Sequence, residues 1–234
     1  MPEAGHTVRR CHSDMSAFEI GTPGQPWSDA EREEWRATRQ IRRSYKEEVV
    51  DKLQALDPAI YEVVQYGALE QDPERYPLCA VKLKGWQPGL PHVLITGGVH
   101  GYETSGVQGA ILFLRTVATK YADKFNILVV PCVSPWGYET IQRWNYRAVD
   151  PNRSFNPEGE VVPGRSFNPE PSTDESRNLI AYLKSLGVEQ WMCHVDQVSA
   201  PQERYQTLCS LVMRYAARDY RHRRDRVPAC KSCT

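Results

Sequence analysis

Residues 93–106 read VLITGGVHGYETSG. The apolar run VLITGG, residues 93–98, predicts a buried strand. The segment from Thr104 to about Tyr121, with Val107, Ile111, Leu112 and Leu114 expected on one face, predicts a helix. Glycines, His100 and Glu103 lie between the two. A second buried strand is expected at ILVVPCV, residues 127–133, and a third at Val188 to Val195. Upstream, Val63–Tyr66 and Leu78–Leu83 suggest two strands joined across the polar turn EQDPERYP. Ser28, with Glu31 three residues on, is a capping-box pattern; it opens a charged helical stretch that continues, with one break, to about Leu56. Ser172 to about Leu186 reads as a further helix. Strands alternating with helices predict an α/β domain with a mixed, mostly parallel sheet flanked by helices.

Composition narrows the class. The 234 residues are 41% hydrophobic and 25% charged, enough apolar material for a core and too much for a disordered chain. Lys plus Arg number 29 and Asp plus Glu number 29, which removes the electrostatic case for nucleic acid or an anionic membrane as partner. No apolar run approaches the ~20 residues that cross a bilayer, and the first residues lack the apolar centre of a secretory signal. Seven scattered cysteines, an odd number, fit a reducing compartment, with the cytoplasm as the default expectation. The expected organisation is a disordered tail over 1–26, one α/β domain over 27–196 and a divergent basic tail over 197–234. Within the domain, residues 134–172 are polar and rich in Pro, Gly and Asn. They contain RSFNPE twice, at 153–158 and 165–170, a local duplication, and are expected to form a long surface loop, functional or an insertion.

The chemistry concentrates behind two of the strands. His100 and Glu103 follow the first strand directly, three residues apart and between glycines that let the backbone bend tightly. At a strand–helix junction both side chains can reach one point, and imidazole plus carboxylate suits zinc. The alternative is a helix N-terminus with a favourable Glu and an incidental His. The second strand runs into SPWGYETIQRWNYRAVDPNRSF, residues 134–155, which carries Arg143, Arg147, Arg153 and Asn152. Guanidinium groups bind carboxylates bidentately and Asn adds donors. The alternative here is a solvated basic loop with an Asp150–Arg salt bridge.

GGVHGYE, then SPWGYE, then RWNYRAVDPNRSF, in this order and behind buried strands, resembles the zinc metallocarboxypeptidase family typified by carboxypeptidase A. The likeness is closest to its bacterial-type branch near the succinylglutamate desuccinylase/aspartoacylase group, and it covers roughly residues 60–196. The resemblance implies a mixed eight-stranded sheet between helices. It implies that His100 and Glu103 are zinc ligands, that Arg143 polarises the scissile carbonyl, and that Asn152 and Arg153 grip a substrate carboxylate. The implied cofactor is Zn2+ and the implied substrate is a peptide that loses its C-terminal amino acid. An N-acyl amino acid, cleaved by an amidohydrolase of the aspartoacylase type, is the alternative.

The family's third ligand follows on a strand ending Asp-x-His. Here WMCHVD, residues 191–196, leads to Val198 where the His is expected. His194 lies ~13 Å further back along a strand, so it is expected to be a hydrogen-bonded strand histidine; His222 is a remote second candidate. Glu203 is the one Glu after Asp196, and nothing marks it as a general base. Cys230 and Cys233 form a lone C-x-x-C, expected as free thiols. These departures carry a further expectation, a family-like domain whose ending is replaced. They also carry a different functional class: a non-catalytic carboxylate- or partner-binding relative with an incomplete metal site.

Overall fold

The structure, a computed structural model, describes residues 20–155 and 173–198. The chain divides into two compact units, Met1–Arg39 and Gln40–Thr234. In the first, helix α1 (Asp29–Ala37) begins at Ser28, whose hydroxyl accepts from the Ala30 amide while Glu31 reaches back to the Ser28 backbone. This is the capping box that the residue types specify, and it satisfies amide groups that the first turn leaves without helical partners.

The second unit opens with a π-helical turn, Lys46–Val50, that runs into the short helix α2 (Asp51–Gln54). Five strands follow: β1 (Tyr61–Ala68), β2 (Pro77–Leu83), β3 (His92–Gly97), β4 (Asn126–Val130) and β5 (Trp191–Gln197). They form one sheet in the order β1-β2-β4-β3-β5. β1 and β2 pair antiparallel, as does β2 with β4; β4, β3 and β5 form a parallel block. The sheet is therefore mixed, with an antiparallel hairpin added to a parallel half. The carboxyl ends of β4, β3 and β5 lie side by side, because Thr96 pairs with Val130 on one side and Asp196 on the other.

Helix α3 (Thr104–Thr116) returns over one face of the sheet, burying Val107, Ala110, Ile111 and Leu114 at the helical spacing i, i+3, i+4, i+7. Leu112, expected on that face, is 37% exposed; five residues from Val107, it points to the opposite side. The helix stops at Thr116, and a 3₁₀ turn, Ala118–Tyr121, completes the predicted stretch. The opposite face packs Ala80, Leu94, Leu128 and Val130 against Leu179 of helix α5 (Asp174–Ser185), flanked by Tyr182 and Leu183. Thr173 caps α5 by accepting from the Ser176 amide at 3.2 Å.

The segment expected as a long loop contains a helix, α4 (Pro135–Thr140), all six of whose residues are buried. Six buried residues show too little amphipathic period to be read from sequence. Strand β4 ends before Pro131, and the chain then turns toward β3: the Val133 and Ser134 amides donate to Gly97 O and Gly98 O, each at 3.0 Å. That turn brings the two chemistry-bearing segments together. Among the described residues no helix is long and apolar enough to cross a membrane. Most of the expected N-terminal tail, most of the RSFNPE repeat, nearly all of the expected basic tail, Glu203, His222, Cys230 and Cys233 lie outside the described residues.

Candidate metal centre

His100 and Glu103 occupy the β3–α3 junction, each 6% exposed. The His100 carbonyl accepts from the Glu103 amide at 3.0 Å, a tight turn that aims both side chains inward. The two side chains meet: His100 Nδ1 lies 3.2 Å from Glu103 Oε1. The other ring nitrogen, Nε2, lies 3.0 Å from Asp150 Oδ1. A carboxylate on each side outweighs the opposing effect of burial and holds the imidazole up to about 9. Burial works upward on Asp150 as well, but His100 and Arg143 hold that carboxyl down to about 2.

Asp150 joins the two segments. Its Oδ2 accepts from Arg143 Nε at 3.2 Å and from a terminal Arg143 nitrogen at 2.9 Å. The other terminal nitrogen of Arg143 donates to Tyr102 Oη at 3.3 Å, and the Tyr102 ring stacks on His100 with centroids 5.9 Å apart. His100, Glu103 and Arg143 are thus linked through Asp150. Asn152 joins through its backbone, donating to Asp150 Oδ1 at 2.9 Å, while its side chain is exposed. Arg153, three residues after Asp150, turns its guanidinium to Asn152 O at 3.2 Å. Arg147, grouped with these residues on sequence, is directed elsewhere: it pairs with Glu70 at 2.7 Å and Asp174 at 3.8 Å.

From sequence alone Asp150 is a salt-bridge partner of an arginine and Asn145 carries no signal. Asn145 Oδ1 accepts from the Arg147 and Val149 amides, each at 3.0 Å, and its Nδ2 donates to buried Glu175 Oε2 at 3.2 Å. It closes the turn that delivers Asp150 to His100. Ala148, at φ 57, takes the left-handed conformation this turn requires. No local pattern marks Asp150 as a partner of a histidine 50 residues away.

β5 arrives alongside. His194 Nε2 lies 2.9 Å from Thr96 Oγ1, and the same hydroxyl donates to Asp196 Oδ1 at 2.7 Å. His194 is a hydrogen-bonded strand histidine, as its register implied. Alternation leaves His194, Asp196 and Val198 on one exposed face, with Val195 and Gln197 buried between them.

The family model described as zinc carboxypeptidase matches residues 46–211. The chain belongs to the zinc carboxypeptidase family. Among solved structures, bovine thrombin-activatable fibrinolysis inhibitor, determined with a tick carboxypeptidase inhibitor, is 19% identical. The match covers 67% of this chain and 60% of that one at a TM-score of 0.51, a likeness of fold. A protein of Shewanella amazonensis SB2B assigned as a metallopeptidase is 26% identical over 62% of this chain and 50% of its own, with a TM-score of 0.47. A metallo-carboxypeptidase of Burkholderia cenocepacia is 18% identical over 65% and 39%, with a TM-score of 0.47. The chain therefore spans half the length of the Shewanella protein it matches. No curated protein matches the sequence.

Family membership implies zinc, and the residues can be tested against it. Glu103 Oε2 is buried without a hydrogen-bond partner, which a cation beside Glu103 would satisfy. With Asp150 on Nε2, the nitrogen facing Glu103 is Nδ1, and a carboxylate behind a ligating imidazole is the arrangement that orients it for metal. These two donors fit half of a zinc site. Among the described residues no group of three or more His, Cys, Asp or Glu side chains is arranged to hold a metal ion.

Proposed function

We propose that this chain carries the metal and carbonyl-polarising half of a zinc carboxypeptidase centre, for a peptide with a free C-terminal carboxylate. The observation that carries the proposal is the linked set Glu103–His100–Asp150–Arg143 at the carboxyl ends of parallel strands. His100 and Glu103 would hold zinc, which supplies Lewis acidity toward a carbonyl oxygen. Asp150 fixes the imidazole's orientation and presents Nδ1 to the metal side. Arg143 commits Nε and one N–H of a terminal nitrogen to Asp150 and one N–H to Tyr102, which leaves guanidinium N–H groups to receive charge developing on a substrate oxygen. Asn152 and Arg153 are the proposed holders of the substrate carboxylate. An N-acyl amino acid carries the same carboxylate and carbonyl, so the amidohydrolase reading shares these residues.

Val198, exposed just past the end of β5 where the family pattern has His, favours a second reading. In it the chain is a carboxylate-binding relative that does not turn its ligand over.

Zinc calorimetry tests the centre. One weak site is expected, because structural and catalytic zinc sites take at least three protein ligands. It should disappear in His100→Ala and in Glu103→Gln. Absence of binding, or binding that survives both substitutions, overturns the proposal. Nanomolar affinity removed by both substitutions would instead place a third ligand outside the described residues.

A further inference from the structure

We propose that Arg43 is the positioning residue of this centre: one guanidinium locks the His100–Glu103 turn to the end of α4 from which the Arg143 loop departs. The metal role of the turn rests on the reading above; the locking itself does not.

Arg43 lies outside the family match at 46–211 and contributes no side chain to the centre. Its contacts nevertheless fall on both site segments. Nε donates to Tyr138 O at 2.6 Å, one terminal nitrogen donates to Thr104 Oγ1 at 2.6 Å, and the other to Gly101 O at 3.4 Å. Gly101 and Thr104 bracket the turn that carries Glu103. Tyr138 lies in α4, five residues before Arg143. The guanidinium carbon also sits 3.8 Å from the centroid of the Tyr138 ring. A planar fork with donors in fixed directions reaches three acceptors at once; an ammonium is a point charge on a flexible stem and cannot reproduce the set.

The backbone around Arg43 is held on both sides. The Arg42 amide donates to Glu139 O at 2.8 Å, and the Tyr45 amide to Glu139 Oε1 at 2.8 Å. Glu139 is in turn fixed through Oε2 by Arg75 Nε at 2.8 Å and Tyr76 Oη at 2.9 Å. The Tyr138 hydroxyl is anchored separately, donating to Glu48 Oε2 at 2.6 Å and accepting from Gln108 Nε2 at 2.8 Å. The side chain is therefore delivered from a fixed base onto a fixed ring, and little freedom remains to be lost when it binds the turn.

The two segments it joins also meet directly. Gly101 packs against the Gly137 backbone without a side chain on either residue, and the Tyr102 amide donates to Gln142 O at 3.0 Å. Loss of the Arg43 fork leaves the turn tied to α4 and the Arg143 loop by that hydrogen bond, the glycine–glycine contact and the side-chain contacts of His100 with Asp150 and of Tyr102 with Arg143, none of which holds both Gly101 and Thr104.

Hydrogen exchange on Arg43→Gln and Arg43→Lys, with zinc calorimetry on the same samples, tests the assignment. In Arg43→Gln the Tyr102 and Glu103 amides should exchange at least about tenfold faster while β3 and β4 amides keep their wild-type rates. Arg43→Lys should fall between the two. Zinc affinity should drop in the same order, by about tenfold or more for Gln, as for residues that orient ligands without binding metal. Unchanged exchange at Tyr102 and Glu103, or an equal rise across the sheet, overturns the proposal. If neither variant folds, Arg43 serves global stability and the proposal also fails. If wild type binds no zinc, the metal reading falls, and the exchange rates still decide whether Arg43 locks the turn.

Discussion

At the scale of single residues, the centre rests on Asp150 and stops at Val198. Asp150 holds His100 from one side and Arg143 from the other, so its removal would release both. Val198 tests the opposite end. β5 runs parallel to β3 with Gln197 beside Gly97, and Val198 shares the face of Asp196, whose carboxylate is close enough to sense the charges of Glu103 and His100. Val198→His should therefore raise zinc affinity, measured by calorimetry against wild type, because three ligands plus water complete a tetrahedral shell. Hydrolysis of C-terminal dipeptides and N-acyl amino acids by the same variant should stay slow, since a general base is worth about 10²–10⁴-fold and none is placed among the described residues. An unchanged zinc affinity would mean that the end of β5 does not face the centre. Ordinary enzymatic turnover by wild type would mean that a ligand and a base lie elsewhere in the chain.

At the scale of elements, the centre depends on backbone contact between the β3–α3 turn and α4. A Cβ built on Gly101 would overlap the backbone of Gly137 and Tyr138, and neither can yield as a flexible side chain would. Gly101→Ala should destabilise the second unit by more than about 3 kcal/mol, beyond ordinary overpacking, because main chain must move. Urea unfolding measures this, and a cost under about 1 kcal/mol would show that the two segments are not packed as described. α4 is also strained where it ends: Ile141, a β-branched residue, sits at φ 56, two residues before Arg143. Both elements were incompletely legible. The capping box of α1 and the inward stripe of α3 follow from local rules. α4 is six residues long and buried on all sides, so neither period nor polarity announces it.

At the scale of the whole molecule, a buried acid couples the centre's loop to stability. Glu175 is 1% exposed, and burial, with the neighbouring Asp174 carboxylate, pushes its carboxyl up to about 7 against the hydrogen bonds from Asn145 and Thr173. Tyr66 and Cys132, which also face it, are raised by burial and remain neutral near that pH. The folded state holds the Glu175 proton more tightly than the unfolded chain does. Its contribution to stability is therefore complete below the ordinary value of 4.5 and is lost as pH rises through about 7. The loss amounts to at most about 3 kcal/mol. Glu175→Gln should remove that slope, so urea midpoints of variant and wild type should diverge between pH 4.5 and 8; parallel curves would show that the carboxyl is not held neutral. The same contact marks the boundary between sequence and structure. Strands, caps and the ordered motifs around His100, Glu103 and Arg143 were legible because alternation, capping and residue chemistry act within a few positions of the chain. The pairing of His100 with Asp150 across 50 residues, the diversion of Arg147 to Glu70 across 77, and the reach of Arg43 to Tyr138 across 95 belong to the tertiary structure alone. Each is chosen by which segments the sheet order brings into contact, and local sequence carries no trace of that choice.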